Sequence, residues 1–317
     1  MKSRKALKTI GGYIWKVPIC ALAYVVGTMA GGALVSALGM KLPSIPEQAN
    51  EQTMALSLLA ASLVLTVGIG PLARRIQGAY LVRWLTLGAL TYVCLGVNTP
   101  IEAAIFTTMG GMRSVVVFSL LPCFLFAGVM ALVFKPSEKG EPFGLNVRRF
   151  FSGRSAGDWV WRFAAAICAF PVIYWVFGMC VAPWVVEYYK QEQFGLTLPN
   201  VRVIVLVQLL RSSLFLLVSL PILIVWSGSR LRLTVALGVA FFVLVGLFGL
   251  IQAYWLGPVL LVLHNVEILV DSLVYAGALV FLLVQKKEQD SEPQAVLPSS
   301  SAGSASYEGL CASGQAK

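Results

Sequence analysis

A helix crossing a bilayer needs about 20 consecutive apolar residues, and a charged side chain at its centre costs at least roughly 2.5–3.5 kcal/mol. The segment 256–285, LGPVLLVLHNVEILVDSLVYAGALVFLLVQ, has the length of such a helix yet carries His264, Glu267 and Asp271. The three positions are spaced by three and four residues, so their side chains share one helix face. His264 is also the single histidine of the chain. A protein that keeps this stripe in hydrocarbon either uses it or pairs it internally.

Seven more apolar runs accompany it, near 12–38, 54–73, 81–106, 114–134, 159–186, 203–226 and 233–253. With 58% apolar and only 12% charged residues, the chain reads as an all-α, polytopic membrane protein of eight transmembrane helices. In the third run Asn98-Thr99-Pro100 precedes Glu102, and a proline there is expected to kink the helix or end it.

The net charge of +10 has to be read by its distribution. With the amino terminus inside, sixteen Lys and Arg fall on the cytoplasmic side, against Lys41, Arg113, Lys190 and Arg202 on the other. That bias predicts both termini in the cytoplasm, and an inner-membrane location. The positive charge is therefore mainly topological, membrane lipids are the expected surroundings, and no nucleic-acid partner is expected. Trp15, Trp159, Trp161, Trp184, Trp226 and Trp255 fall near predicted helix ends, as interfacial aromatics do. Five cysteines lie in apolar runs and Cys311 in the tail, without CxxC or Cys/His spacing, so neither disulfides nor a metal site is indicated. Val35-Ser36-Ala37 after a basic, apolar start imitates a cleaved signal, but the apolar stretch is too long for one and is kept as a span.

Shifted by 150 residues, the sequence matches itself at Pro71/Pro221, Gly78/Gly228, Leu81/Leu231, Leu87-Gly88/Leu237-Gly238, Val93/Val243, Gly96/Gly246, Ile101/Ile251 and Ala103/Ala253. Nine identities in 33 ungapped positions exceed what apolar composition gives by chance. The expectation is two parallel four-helix repeats, 1–134 and 159–287, joined by a basic cytoplasmic linker, 135–158, and followed by a disordered tail, 288–317. Phe143, Leu145, Val147, Phe150 and Phe151 alternate with arginines in the linker, a pattern for lying on an anionic leaflet or simply a basic loop. Asp158 is placed to cap the fifth helix, and Gly27-x3-Gly31 predicts close helix packing.

At about 1.5 Å per residue, His264 and Glu267 lie roughly 9–14 Å from the outer surface, Asp271 near mid-membrane, and Arg211 roughly 12 Å deep. Gln208 is one turn from Arg211, and Asn98 and Glu102 lie toward the outer end of the third run. Arg211 is expected to pair with Glu267 or Asp271, and Glu102 could instead snorkel to water. If the acids converge, a surplus of negative charge remains, to be relieved by a proton, a charged His264 or a bound cation. No cofactor motif, nucleophile elbow, P-loop or metal-protease signature occurs.

These residues point to a permease for a small solute of unspecified identity, with proton coupling through Glu267 and Asp271 as one use of the acids. Two alternatives stand beside it. One is an intramembrane lipid-modifying enzyme using His264 and its neighbouring carboxylates. The other is a structural or assembly protein held by a buried ion-pair network. Oligomeric state leaves no trace in the sequence.

Overall fold

The structure is a computed structural model that describes residues 2–43, 50–108, 110–136 and 140–285, with side chains from residue 11 onward. The expected tail over 288–317, together with Lys139, Lys286, Lys287 and Cys311, lies outside the described residues. Helices numbered in chain order are α1 (Lys2–Ala37), α2 (Glu51–Ala73), α3 (Tyr80–Thr91), α4 (Thr99–Phe106), α5 (Met112–Val133), α6 (Phe143–Ser152), α7 (Ala156–Lys190), α8 (Val201–Val225), α9 (Arg230–Phe242), α10 (Phe248–Gln252) and α11 (Pro258–Leu283). A π-helical segment, Tyr92–Asn98, joins α3 to α4, and another, Val243–Leu247, joins α9 to α10. Counted through these segments, eight helices among the described residues are long and apolar enough to cross a membrane. There are no strands among the described residues.

The third run does not end at Pro100 but continues through the π segment to Phe106. Proline removes one backbone donor and crowds the preceding turn, and the wider π turn ahead of it absorbs both effects. Thr99 supplies a substitute bond by donating its hydroxyl to the Cys94 carbonyl at 3.2 Å. At the start of α7 the cap is Ser155, whose Oγ accepts from the Asp158 amide at 3.2 Å. Asp158 sits inside the first turn instead, accepting from Trp161 at 2.8 Å and Arg162 at 2.9 Å. A carboxylate there still suits the positive end of the helix dipole, so the sequence pattern marked the right turn and the wrong residue.

Asn50 caps α2 and Asn200 caps α8 by accepting from the amides of Gln52 and Arg202. After these helices, residues 75–77 and 225–227 clasp each other: Gln77 donates to Val225 at 3.1 Å and Ser227 to Arg75 at 3.0 Å. Gly78 (φ +111°) and Gly228 (φ +150°) then turn the chain into α3 and α9, at backbone angles that L side chains rarely adopt. A second clasp at the opposite end joins Thr108 to Gly195 and Thr197 to Phe106, both at 2.8 Å. The alternation of the two ends follows from the short connections.

α1 lies along α5, α2 beside α1, and α3 along α5; in the second half α7 lies along α11, α8 beside α7, and α9 along α11. The halves join where α2 packs on α9 and α10, and α8 on α3. Gly27 and Gly31 make the α1–α5 approach possible, since a Cβ at either would strike the backbone of Pro122 or Phe118. Tyr24, Leu65, Phe126, Phe215, Leu237 and Leu279 belong to one buried core spanning both halves.

Several basic residues cap helix ends. Arg154, Arg162 and Arg230 donate to the last carbonyls of α11, at Leu283 (2.9 Å), Leu282 (2.7 Å) and Val280 (3.0 Å). Buried Arg83 does the same for the Phe134 carbonyl after α5. Guanidinium groups are favoured at carbonyl-rich, negative helix ends. Within the linker expected over 135–158, α6 folds back so that Phe150 and Phe151 meet the Trp159 ring at 5.1 and 4.9 Å.

Candidate functional site

A cavity of about 320 Å³ opens among α4, α7, α8, the α9–α10 segment and α11. Its walls run from Leu196 and Leu256, in the connections, to Ser272 and Tyr275, more than halfway along α11. Of the seven residues singled out from the sequence, five line it: Glu102, Arg211, His264, Glu267 and Asp271.

Arg211 is 1% exposed and does not pair with the acids of α11. Its Nη2 lies 2.7 Å from Glu102 Oε2, and its Nη1 donates to Gln208 Oε1 at 3.0 Å. The guanidinium carbon also lies 5.7 Å from the Phe170 ring centre and 5.8 Å from that of Phe215. Two changes from the expected pairing follow together: Arg211 takes Glu102 as partner, and Glu102 faces the bundle rather than snorkelling outward. The π segment supplies the physical reason. An extra residue in a turn rotates everything beyond it by about 100°, which re-aims Glu102 toward α8.

On α11, His264 Nδ1 lies 3.0 Å from Glu267 Oε2, and His264 Nε2 lies 3.3 Å from the Tyr189 hydroxyl. With the proton on Nδ1, the ring donates to Glu267 and accepts from Tyr189. α7 passes Glu267 at Gly178, where even a Cβ would sit 3.5 Å from the carboxylate, so the acid has room. Asp271, one turn further, is 6% exposed, and its Oδ1 has no hydrogen-bond partner among the described residues.

Gln208 and Asn98 are fully buried and stand behind the cavity wall rather than on it. Gln208 orients Arg211, whereas neither polar atom of the Asn98 amide finds a hydrogen-bond partner among the described residues. The sequence reading missed the aromatic part of the site. Phe170 and Tyr174 of α7, Phe215 of α8, Phe241 of α9 and Tyr275 of α11 all line the cavity. Phe170 and Phe241 sit 5.1 and 6.0 Å from Tyr275, whose hydroxyl is 3.1 Å from Ser212 Oγ. Phe170/Tyr174 and Asp271/Tyr275 each have i,i+4 spacing, a signal that apolar context hides. Among the described residues, no three His, Cys, Asp or Glu side chains are grouped to hold a metal ion.

Among the described residues, eight helices long and apolar enough to cross a membrane, five of them lining a cavity with charged groups on a largely apolar wall, define a polytopic α-helical membrane protein. No protein-family model matches the chain, and no curated protein or solved structure matches it.

Proposed function

We propose that the protein is a permease that moves a small solute through this cavity, with Glu267 and Asp271 carrying the coupled protons. The single observation behind this reading is a chamber of about 320 Å³ inside a membrane-spanning bundle, walled by three carboxylates, Glu102, Glu267 and Asp271, and one guanidinium. Pockets for small ligands run from roughly 300 to 1,000 Å³. Ionisable groups facing the interior of a bundle mark solute and proton pathways. The positive-inside bias supports reading both termini as cytoplasmic in an inner-membrane protein, with the cavity facing outward.

We also read the two halves as copies of one four-helix unit, related by an axis along the membrane normal. Support comes from features recurring 150 residues apart: the Asn50 and Asn200 caps, the mutual clasp, Gly78 and Gly228, and Gly96 and Gly246 within the paired π segments. The halves differ at Glu102 and its counterpart Gln252, so one copy keeps the charge that Arg211 needs.

The test is flux. The full chain goes into proteoliposomes holding the pH dye pyranine, challenged with small amines, carboxylic acids and neutral sugars. The expected result is proton movement driven by one class and lost in Glu267→Gln with Asp271→Asn. Movement that both amides leave unchanged, or none with any class, would sink the proposal. A second reading draws on the Tyr189–His264–Glu267 chain, which has the form of a general base and its orienting acid. In that reading the protein modifies a lipid, and the same vesicles would show turnover lost in His264→Gln without solute flux.

A further inference from the structure

Resting on the reading of this cavity as a solute site, we infer that its solute is a small organic cation. The cationic head sits between Glu267 and Asp271, and the apolar body rests against Phe170, Tyr174, Phe241 and Tyr275.

The charges select the sign. Arg211 is the one permanent cation on the cavity wall, and it is already held by Glu102 at 2.7 Å and Gln208 at 3.0 Å. Its buried Nε has no partner among the described residues, but the Glu102 carboxylate already balances its charge, which leaves Glu267 and Asp271 without a permanent cation. Glu267 has only the titratable His264 as partner, and the Asp271 Oδ1 is buried with no partner at all among the described residues. An unpaired carboxylate oxygen in a low-dielectric wall is satisfied by a positive group. The two acids lie one turn apart on one face of α11, about 6 Å along its axis, so a single ammonium head can reach both.

The walls select the kind of cation. A hard metal ion takes six or more oxygens, whereas most of this wall is carbon. Tyr275 stands one turn beyond Asp271, with Phe170 at 5.1 Å and Phe241 at 6.0 Å from it. Electron-rich ring faces beside a carboxylate are the setting in which alkylated ammonium groups are bound. An aromatic floor below two acids thus fits a cation carrying its own apolar body.

The probe is benzyltrimethylammonium, whose charge does not depend on pH, with benzoate as the anionic counterpart. Binding to the full chain in nanodiscs is measured by calorimetry, and flux in proteoliposomes. The wild type should bind the cation and not benzoate. Asp271→Asn and Glu267→Gln should each weaken binding about tenfold or more, and Phe241→Leu about threefold or more. Thermal unfolding checks each variant; if Asp271→Asn does not fold, Glu267→Gln and Phe241→Leu carry the test. Benzoate binding in place of the cation, binding of neither, or full-strength cation binding by the folded variants overturns the inference. Benzoate that is also transported does so while leaving the permease reading intact. Cation binding that depends on Asp271 without any flux supports the inference and overturns the permease reading.

Discussion

At Arg211 a guanidinium buried to 1% exposure is shared by Glu102, Gln208 and the faces of two phenyl rings. Glu102 comes from the first half of the chain and Arg211 from the second, so this pair is a joint between halves as well as a wall of the cavity. Removing one member of a buried pair leaves the other uncompensated, at a cost of about 3–5 kcal/mol, whereas removing both is often nearly neutral. Arg211→Met alone should therefore lower the thermal unfolding midpoint sharply, and Arg211→Met with Glu102→Leu should restore most of it. If the double variant also keeps solute flux, the pair is scaffold; if it folds but loses flux, the pair belongs to the site. The sequence made all these charged residues visible, because each interrupts an apolar run. It gave depth along a helix but not direction around it, and so it paired Arg211 with the wrong acid. Asp271 and Glu267 were legible as a stripe, while the aromatic floor was not, since a Phe in a membrane helix looks the same facing lipid or a cavity.

Helix-level features were legible where hydropathy or a small-residue motif carries them. The expected run 54–73 is α2, Glu51–Ala73, and 81–106 is the span Tyr80–Phe106. The two π segments were not legible, because an apolar turn reads alike with four or five residues between donor and acceptor; Pro100 was the only mark near either. The glycine pair on α1 is the element-scale feature most open to test. A Cβ at Gly27 or Gly31 would meet α5 backbone, which has no rotamer with which to yield. Gly27→Val should cost about 1–3 kcal/mol or more through overpacking, read as a lower unfolding midpoint. Gly32→Val, next to Gly31 in sequence but facing open space, should change it little. Equal effects at both positions would mean that α1 does not use this face against α5.

For the molecule as a whole, orientation decides which compartment the cavity faces and, on the permease reading, which one supplies the solute. The cavity wall includes Leu196 and Leu256, in connections at the end opposite the Arg154–Arg162–Arg230 cluster. That arginine cluster caps α11, and two of its members, Arg154 and Arg230, also count toward the positive-inside bias, so helix capping and the topology signal share charges. A bias read from sequence therefore overstates what the membrane alone requires, and the orientation needs its own measurement. In a background with all six cysteines replaced, Leu198→Cys and Arg148→Cys place one exposed thiol at each end. A membrane-impermeant maleimide should label Leu198→Cys in intact cells and Arg148→Cys only after permeabilisation. The reverse pattern would turn the cavity toward the cytoplasm and make the protein, on the permease reading, an exporter that loads from inside.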